Sequence, residues 1–344
     1  MRLFTVILFT VLFFTTHSLP AKGIHLLLAG DTTAKGNKNL ASGVKRNCKS
    51  IERSFSYIAK ICKVSFHLTK ITSESHTLTS EHLDKWVTEA HIAPDDVVIF
   101  YYCGHGDRDL TAEFIWPRMI FTDKKLDSTP IIEKFVEKRA ALTIVLLDCC
   151  NVPCFDYLLD ELQLRSKMIE LFNINKYKNE SIAISRNKLF FERSGIIIAC
   201  AAKPAEYAWV DPDIYKHHKR KGGGGFFTNA FLNSLFKTLR SRSPHWRSIC
   251  KETKKICYKE SKETNETIEE PPQTPQYAML IGSTKKEARE YIDYVHKHCI
   301  YRTGVNSAKD LPIDKRFDEK VRELICFKKH IDGAKGCSPR SANH

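Results

Sequence analysis

The sequence predicts an α/β fold, a three-layer sandwich whose mostly parallel central sheet is covered on both sides by helices. Short apolar runs rich in β-branched residues alternate with segments whose apolar residues recur every three to four positions. The runs are apolar at successive positions, which is typical of strands buried on both faces. Of the 344 residues, 42% are hydrophobic and 27% are charged. This composition excludes a disordered, collagen-like or coiled-coil chain.

The predicted elements follow in a regular order. Strands are predicted over residues 24–29, 63–68, 97–102, 141–147 and 195–201, with helices over 44–60 and 80–90. Thr79 precedes the second helix as its N-cap residue, since its hydroxyl can accept a hydrogen bond from the first turn. Residues 251–272 are charged and poor in apolar residues, which predicts a surface loop or linker. The glycine run 222–225 predicts a mobile loop beside the site.

The first 21 residues predict a secretory signal peptide. Met1 and Arg2 precede an apolar run over 3–14, which is shorter than the roughly 20 residues that a membrane-spanning helix needs. We therefore expect an exported protein, secreted or periplasmic, or a membrane-anchored one if the signal is not cleaved. Residues 22–283 would form the folded domain, and 284–344 a basic, helix-prone C-terminal tail.

The chain has 12 cysteines, which in an exported protein favours disulfides. Those in polar surroundings are the better bridge candidates: Cys250, Cys257, Cys299, Cys326 and Cys337. Those within or next to apolar runs are expected to be free thiols: Cys103, Cys149, Cys150 and Cys200. No second pair of ligands at zinc spacing accompanies Cys149, Cys150 and Cys154, so no metal site is predicted.

Polar residues follow two of the predicted strands at the point where each ends. The strand 97–102 leads into Cys103-Gly104-His105-Gly106, and 141–147 leads into Asp148-Cys149-Cys150-Asn151. The carboxyl ends of parallel strands meet at one edge of a sheet. An imidazole and a thiol brought together there can form a nucleophile and its base, and the Gly106 N–H could hold an oxyanion.

These motifs resemble those of the caspase-like cysteine peptidases, nearest the metacaspase and paracaspase branch. Residues 100–106 are similar to that family's Tyr-Ser-Gly-His-Gly motif, and 148–150 to its Asp-x-Cys motif. Residues 226–232 and 273–276 resemble its Phe-Thr-x-Ala-Phe and Gln-x-Pro-Gln segments. The resemblance covers roughly residues 22 to 283.

The resemblance implies a role for each site residue. His105 would be the general base and acid and Cys150 the nucleophile, while the N–H groups of Gly106 and Cys150 would form the oxyanion hole. Asp148 would bind the side chain before the cut bond, which predicts cleavage after Arg or Lys. Cys103, which stands where the family has Ser, is the next residue assigned to substrate binding.

Three departures from the family pattern affect these expectations. Asn47 occupies the position of a second pocket carboxylate, so Asp31 is an alternative donor of that charge. Residues 151–153 replace the family's His-Ser-Gly. The acid-rich calcium segment is missing after Gly106, so no cofactor is expected, although calcium dependence is known in the family.

Several functions remain open from the sequence. Beside the endopeptidase stand a catalytically impaired binding module and an Asn-specific peptidase. The formal charge of +14 also suits a binder of nucleic acid or anionic glycan. The basic residues form no aromatic-interleaved stripe along the sequence, so protein or peptide substrates are the expected partners, with no specific nucleic acid and no membrane beyond the N-terminal signal. Nothing in the sequence indicates the oligomeric state.

Overall fold

The computed structural model describes residues 22–34, 37–109, 115–153, 183–211, 224–265 and 272–282. The predicted signal peptide over 1–21 and the predicted tail over 284–344 lie outside these residues. None of the described helices is both long enough and apolar enough to cross a bilayer.

A six-stranded sheet forms the centre of the molecule. Its strands are β1 (Gly23–Gly30), β2 (Ser65–Thr72), β3 (Val97–Cys103), β7 (Leu142–Asp148), β8 (Ser194–Cys200) and β11 (Gln276–Gly282). They lie in the order β11-β8-β7-β3-β1-β2. All neighbouring pairs are parallel except β8 and β11. The mostly parallel sheet predicted from the apolar runs is therefore confirmed.

Helices cover both faces of the sheet. They are α1 (Lys38–Cys62), α2 (Ser80–Glu89), α3 (Ser128–Glu137), α4 (Ala183–Phe190), α5 (Phe226–Thr238) and α6 (Trp246–Asn265). Residues of α1, α5 and α6 share one buried apolar cluster with one face of the sheet, and residues of α2 and α3 share another with the opposite face. Alternation along β3 explains this, because Ile99 and Tyr101 enter the first cluster while Val98 and Phe100 enter the second.

Both predicted helices are present; α2 agrees within one residue, whereas α1 begins at Lys38, before the predicted start at residue 44. Thr79 caps α2 as expected, since its hydroxyl accepts a hydrogen bond from the His82 N–H. The first helix runs on to Cys62, where Lys63 adopts a left-handed conformation with φ of 55° and ends it. The following strand β2 therefore begins at Ser65 rather than at 63 and extends to Thr72.

The prediction of a loop over 251–272 is wrong for most of that stretch. Residues up to Asn265 belong to α6. Ile249, Cys250 and Cys257 are buried along one side of this helix. Its apolar residues are few but helically spaced, so packing against α5 rather than overall hydrophobicity determines its structure.

Cys250 and Cys257 are among the predicted candidates for disulfide bridges, and both are instead buried free thiols. They lie on the packed side of α6, where a small apolar thiol fills space in a core. Cys299, Cys326 and Cys337 lie outside the described residues.

Two small sheets flank the central one. The strands β4 (Gly106–Asp107), β5 (Arg118–Ile120) and β6 (Lys125–Asp127) form an antiparallel sheet directly after β3. The strand β10 (Gly224–Gly225) pairs with β9 (Val210–Asp211). The predicted mobile glycine loop is therefore wrong for residues 224 and 225, which are paired strand residues, while 222 and 223 lie outside the described part.

Candidate active site

The carboxyl ends of β3 and β7 bring the two motifs side by side. In this parallel pair each residue lies opposite the one 45 positions later, from Val97 with Leu142 to Cys103 with Asp148. The same offset continues past the strands, because Arg108 forms a parallel bridge with Pro153. His105 and Cys150 keep this offset, so they are register counterparts at the edge of the sheet.

Backbone hydrogen bonds hold the two segments together around His105. The Gly104 N–H donates to the Asp148 carbonyl at 3.3 Å. The carbonyl of His105 accepts from the Tyr102 hydroxyl at 2.6 Å and from the Ile120 N–H at 3.2 Å. Hydrogen bonds from β3, which precedes His105, and from β5, which follows it, thus hold the main chain of His105 in place.

The Cys150 thiol lies against the main chain of residue 208. Its Sγ accepts a hydrogen bond from the Ala208 N–H at 3.4 Å. Burial raises the pKa of the thiol to about 11, the Ala208 N–H opposes this rise, and the nearby Asp148 adds to it. The resting thiol is therefore protonated near neutral pH, and its use as a nucleophile requires a base.

Cys149 and Cys150 lie in different environments. Cys149 is 1% exposed and packs in the apolar cluster on the α2 and α3 side, whereas Cys150 is partly exposed. Gly106 lies directly over this pair: a Cβ there would come within 2.7 Å of the Cys149 sulfur and 2.6 Å of the Cys150 carbonyl oxygen. Only glycine allows this close approach.

Asp148 lies in a buried polar network beneath the site. The carboxylate is 4% exposed, and its Oδ2 accepts from the Thr228 hydroxyl at 2.5 Å and from the Asn47 amide at 3.0 Å. The Asn47 carbonyl oxygen in turn accepts from the Gly225 N–H at 2.8 Å. The main-chain N–H of Thr228 also bonds the carboxylate. Asp148 thereby caps the first turn of α5, whose N-cap Gly225 has no side chain to do so.

The Asp148 charge is desolvated and has no cationic partner in the described residues. Burial raises the pKa of Asp148 to about 6, although the hydrogen bonds from Thr228 oppose the rise. Among the described residues no Lys, Arg or His forms an ion pair with it. A Cβ on Gly225 would lie 2.6 Å from its Oδ2, so only glycine fits this close to the carboxylate.

The two other residues assigned to substrate binding have different surroundings. Cys103 is 1% exposed, and its sulfur accepts from the Asn47 amide at 3.3 Å, so it lies within the buried network. Asp31 lies on the loop after β1 beside Gly104. Its Oδ1 accepts from the Ala34 N–H at 3.0 Å and the Ser73 hydroxyl at 2.9 Å. The structure thus joins Asn47, and not Asp31, to Asp148.

In a comparison with protein families, the caspase domain (peptidase C14) model matches residues 35–281. The chain belongs to the caspase-domain family. Members of this family are cysteine peptidases, and the predicted caspase-like fold is confirmed. A search of the curated proteins finds no match.

The caspase domain contains a loop whose role the sequence did not reveal. Residues 201–209 follow β8 and carry Ala208 to the Cys150 sulfur. The loop is joined to the segment after Cys150, because the Asn151 N–H donates to the Glu206 carbonyl at 3.0 Å and the Ala205 N–H donates to the Asn151 carbonyl at 2.8 Å. This loop forms the wall of the site next to the thiol.

Two buried side chains hold that loop in place. The Gln273 side chain accepts from the Trp209 N–H at 2.9 Å and donates to the Ala201 carbonyl at 3.0 Å. The Glu206 carboxylate accepts from the N–H of Thr274 at 2.7 Å. Gln273 was recognised only as part of a motif, and Glu206 was missed. The sequence signal that could have indicated Glu206 is an acid within a mostly apolar stretch after a predicted strand.

No group of three His, Cys, Asp or Glu side chains arranged to hold a metal ion occurs in the described ranges. Residues 110–114, within the segment after Gly106 where the metacaspase resemblance would place calcium ligands, lie outside those ranges. The expectation that no cofactor is needed stays a prediction.

The raised pKa of Asp148 has a consequence for stability. A carboxyl whose folded pKa of about 6 exceeds the ordinary aspartate pKa of 3.8 binds protons more tightly in the folded state. We expect the wild type to lose stability relative to Asp148→Asn as pH rises from about 4 to about 6, with a constant difference above that range. Thermal unfolding of both proteins across pH measures this, and a difference independent of pH would contradict it.

Proposed function

We propose that this caspase-domain protein is a cysteine endopeptidase that uses a His105–Cys150 dyad and cleaves after Arg or Lys. The observation that carries the proposal is the register of β3 and β7, which makes His105 and Cys150 counterparts at one sheet edge. The motif resemblance supports assignment to the metacaspase and paracaspase branch. The predicted signal peptide supports export, and the substrates are proteins or peptides.

Proton transfer to His105 is the first chemical requirement. Because the Cys150 thiol is protonated at rest, the imidazole removes its proton as the sulfur attacks the carbonyl carbon of the peptide bond. The carbonyl π electrons move to oxygen, and the N–H groups of Gly106 and Cys150 are the proposed donors to this oxyanion. The imidazolium then protonates the leaving amine as the C–N bond breaks, which leaves a thioester on Cys150. Attack by water, assisted by His105, releases the acid and regenerates the thiol.

The uncompensated carboxylate of Asp148 supports the preference for a basic side chain. A buried carboxylate without a cation is costly, and a substrate guanidinium would restore a charge pair. Arg can form two parallel hydrogen bonds with a carboxylate, whereas Lys acts as a point charge. A substrate Asp at this position would bring two like charges together and is expected to be rejected.

One observation favours an Asn-specific peptidase as the second candidate. Asn47 replaces the family's second acid and lies 3.0 Å from Asp148. An amide donor beside a carboxylate acceptor complements the primary amide of Asn. Asp148 already accepts a hydrogen bond from Thr228, and Asn47 accepts one from Gly225. Few hydrogen-bonding positions are left for a substrate amide, so cleavage after Arg or Lys is preferred.

Covalent labelling distinguishes these functions. We expect a peptidyl-Arg electrophile to modify Cys150 faster than a matched peptidyl-Asn electrophile, with the modified residue identified by mass spectrometry of peptides. Faster reaction of the Asn probe would support the second candidate. Absence of labelling by both probes, with Cys150 still accessible to iodoacetamide, would indicate the impaired binding module.

A further inference from the structure

One face of α6 is strongly basic and is not used by the proposed active site. The residues Arg247, Lys251, Lys254, Tyr258 and Lys262 follow one another at helical intervals of three or four, and Lys255 and Lys259 lie beside them. All of these side chains are exposed, and we call this surface the basic face of α6. It extends for about 22 Å at 1.5 Å per residue.

Tyr258 lies at the middle of the basic face. With 43% exposure, it is the only large hydrophobic side chain exposed among the described residues. This arrangement of an aromatic residue among basic ones is not apparent along the sequence, because these residues become neighbours only on the helix surface. The ring of a tyrosine surrounded by cations is an apolar contact site within a charged surface. Contact with a bound polypeptide chain is more favourable for this ring than exposure to water.

The cations of this face are largely uncompensated. Lys259 pairs with Glu263 at 3.9 Å, whereas Lys251, Lys254 and Lys262 form no ion pair with any residue in the described ranges. Glu252 and Glu263 lie beside Lys255 and Lys259 on one flank of the face, and both are already paired, Glu263 with Lys259 and Glu252 with Lys237 at 2.6 Å. The face therefore presents a narrow cationic strip bordered by carboxylates on one side.

The opposite side of the same helix packs on the wall of the proposed site. Cys257 lies in one buried cluster with Trp209 and Phe226. Trp209 follows Ala208, whose N–H bonds the Cys150 sulfur. The basic face is therefore separated from this wall by one helix, about 10–12 Å across. An extended chain covers that distance in about four residues.

We propose that the basic face of α6 docks an acidic segment of the protein substrates, several residues away from the bond that is cut. This inference rests on the proposed function for its partner, since a peptidase acts on polypeptides. Charge complementarity favours an acidic ligand. The flanking carboxylates disfavour a wide polyanion such as duplex nucleic acid, while a single extended polypeptide fits the strip. Tyr258 contacts the apolar atoms of that segment.

A binding measurement on the Cys150→Ala protein tests the surface without requiring catalysis. The probe is a fluorescent oligopeptide rich in Glu, measured by anisotropy at low and at physiological ionic strength. The test variant carries Lys251→Glu, Lys254→Glu and Lys262→Glu. The matched control carries Lys49→Glu, Arg53→Glu and Lys60→Glu, which change the same charge on exposed positions of α1. Thermal unfolding verifies that both variants are folded.

We expect the α6 variant to bind the acidic peptide about tenfold or more weakly, because three attractive pairs become repulsive, while the α1 variant stays within about twofold. Tyr258→Ser should weaken binding by a smaller factor with little change in its salt dependence. Equal losses in both charge variants, no binding by the parent protein, or tighter binding of a sulfated glycan or an oligonucleotide to the same face would overturn the proposal.

A kinetic measurement links the surface to turnover. With Cys150 intact, kcat/KM is measured for a protein substrate with and without an acidic tract, and for a short peptide that lacks one. In the α6 variant, kcat/KM should be the same for the protein substrates with and without the acidic tract. Its kcat/KM for the short peptide should equal that of the parent protein. If no substrate is cleaved, the proposed function fails while the binding measurement still decides the docking surface.

Discussion

Replacing Cys150 with Ala should abolish peptide cleavage, and replacing His105 with Ala should reduce it by about three orders of magnitude or more. The sulfur is the atom that forms the thioester, so no neighbouring group can substitute for it. The thiol is protonated at rest, because burial raises its pKa to about 11, and the reaction therefore depends on a base. Turnover of a fluorogenic Arg peptide measures both effects.

Cys149→Ala is the matched control for the nucleophile. Cys149 is the adjacent residue but packs in the apolar cluster on the α2 and α3 side, so its loss should change turnover by only a few-fold. Circular dichroism would verify that all three variants are folded. An active Cys150→Ala protein together with an inactive Cys149→Ala protein would show that the nucleophile was misassigned.

The second large effect concerns substrate choice. Asp148→Ala should lower kcat/KM on Arg peptides by about 10² to 10³, because a desolvated guanidinium would lose its counter-charge. The loss on matched peptides with an uncharged residue at the same position should be only a few-fold. Asp148→Asn is the more conservative substitution, since the oxygen of its side chain can still accept the hydrogen bonds that cap α5.

The pH dependence of this preference follows from the same carboxyl. Its pKa is raised to about 6 in the free protein, so protonation below that value removes the charge that attracts Arg. The ratio of kcat/KM on Arg peptides to that on uncharged peptides should therefore fall as pH decreases below about 6. Protonation of His105 and Cys150 affects kcat/KM on both substrates equally, so it does not change this ratio. An Asp148→Asn loss equal on all substrates, or a ratio independent of pH, would assign Asp148 a purely structural role.

The sequence determined the sheet and its functional edge. Strands buried on both faces must be apolar at nearly every position, so β1, β3, β7 and β8 were visible as short β-branched runs. The strand β2 was also predicted, and β11 was not. The motif residues follow two of these runs directly. Because the two strands are parallel, their carboxyl ends, and with them the motif residues, must lie at the same edge of the sheet. His105 and Cys150 could therefore be placed together before their register was known.

The sequence was least informative where packing rather than composition selects the structure. Helix α6 carries few apolar residues, and only their contacts with α5 and β11 distinguish it from a charged loop. Its basic face is invisible in a linear reading, because residues spaced by three and four along the chain become neighbours only on a helix.

The polar network beneath the site was decided by tertiary structure alone. Asn47 and Asp148 are 101 positions apart in the chain, and Asn47 and Gly225 are 178 apart. The Ala208 N–H reaches the Cys150 sulfur across 58 positions. No local pattern specifies such contacts, since they arise when separate strands and helices pack and every buried polar atom must find a partner. The chain's local pattern thus indicated the candidate site residues, and the packing determined their charge states and neighbours.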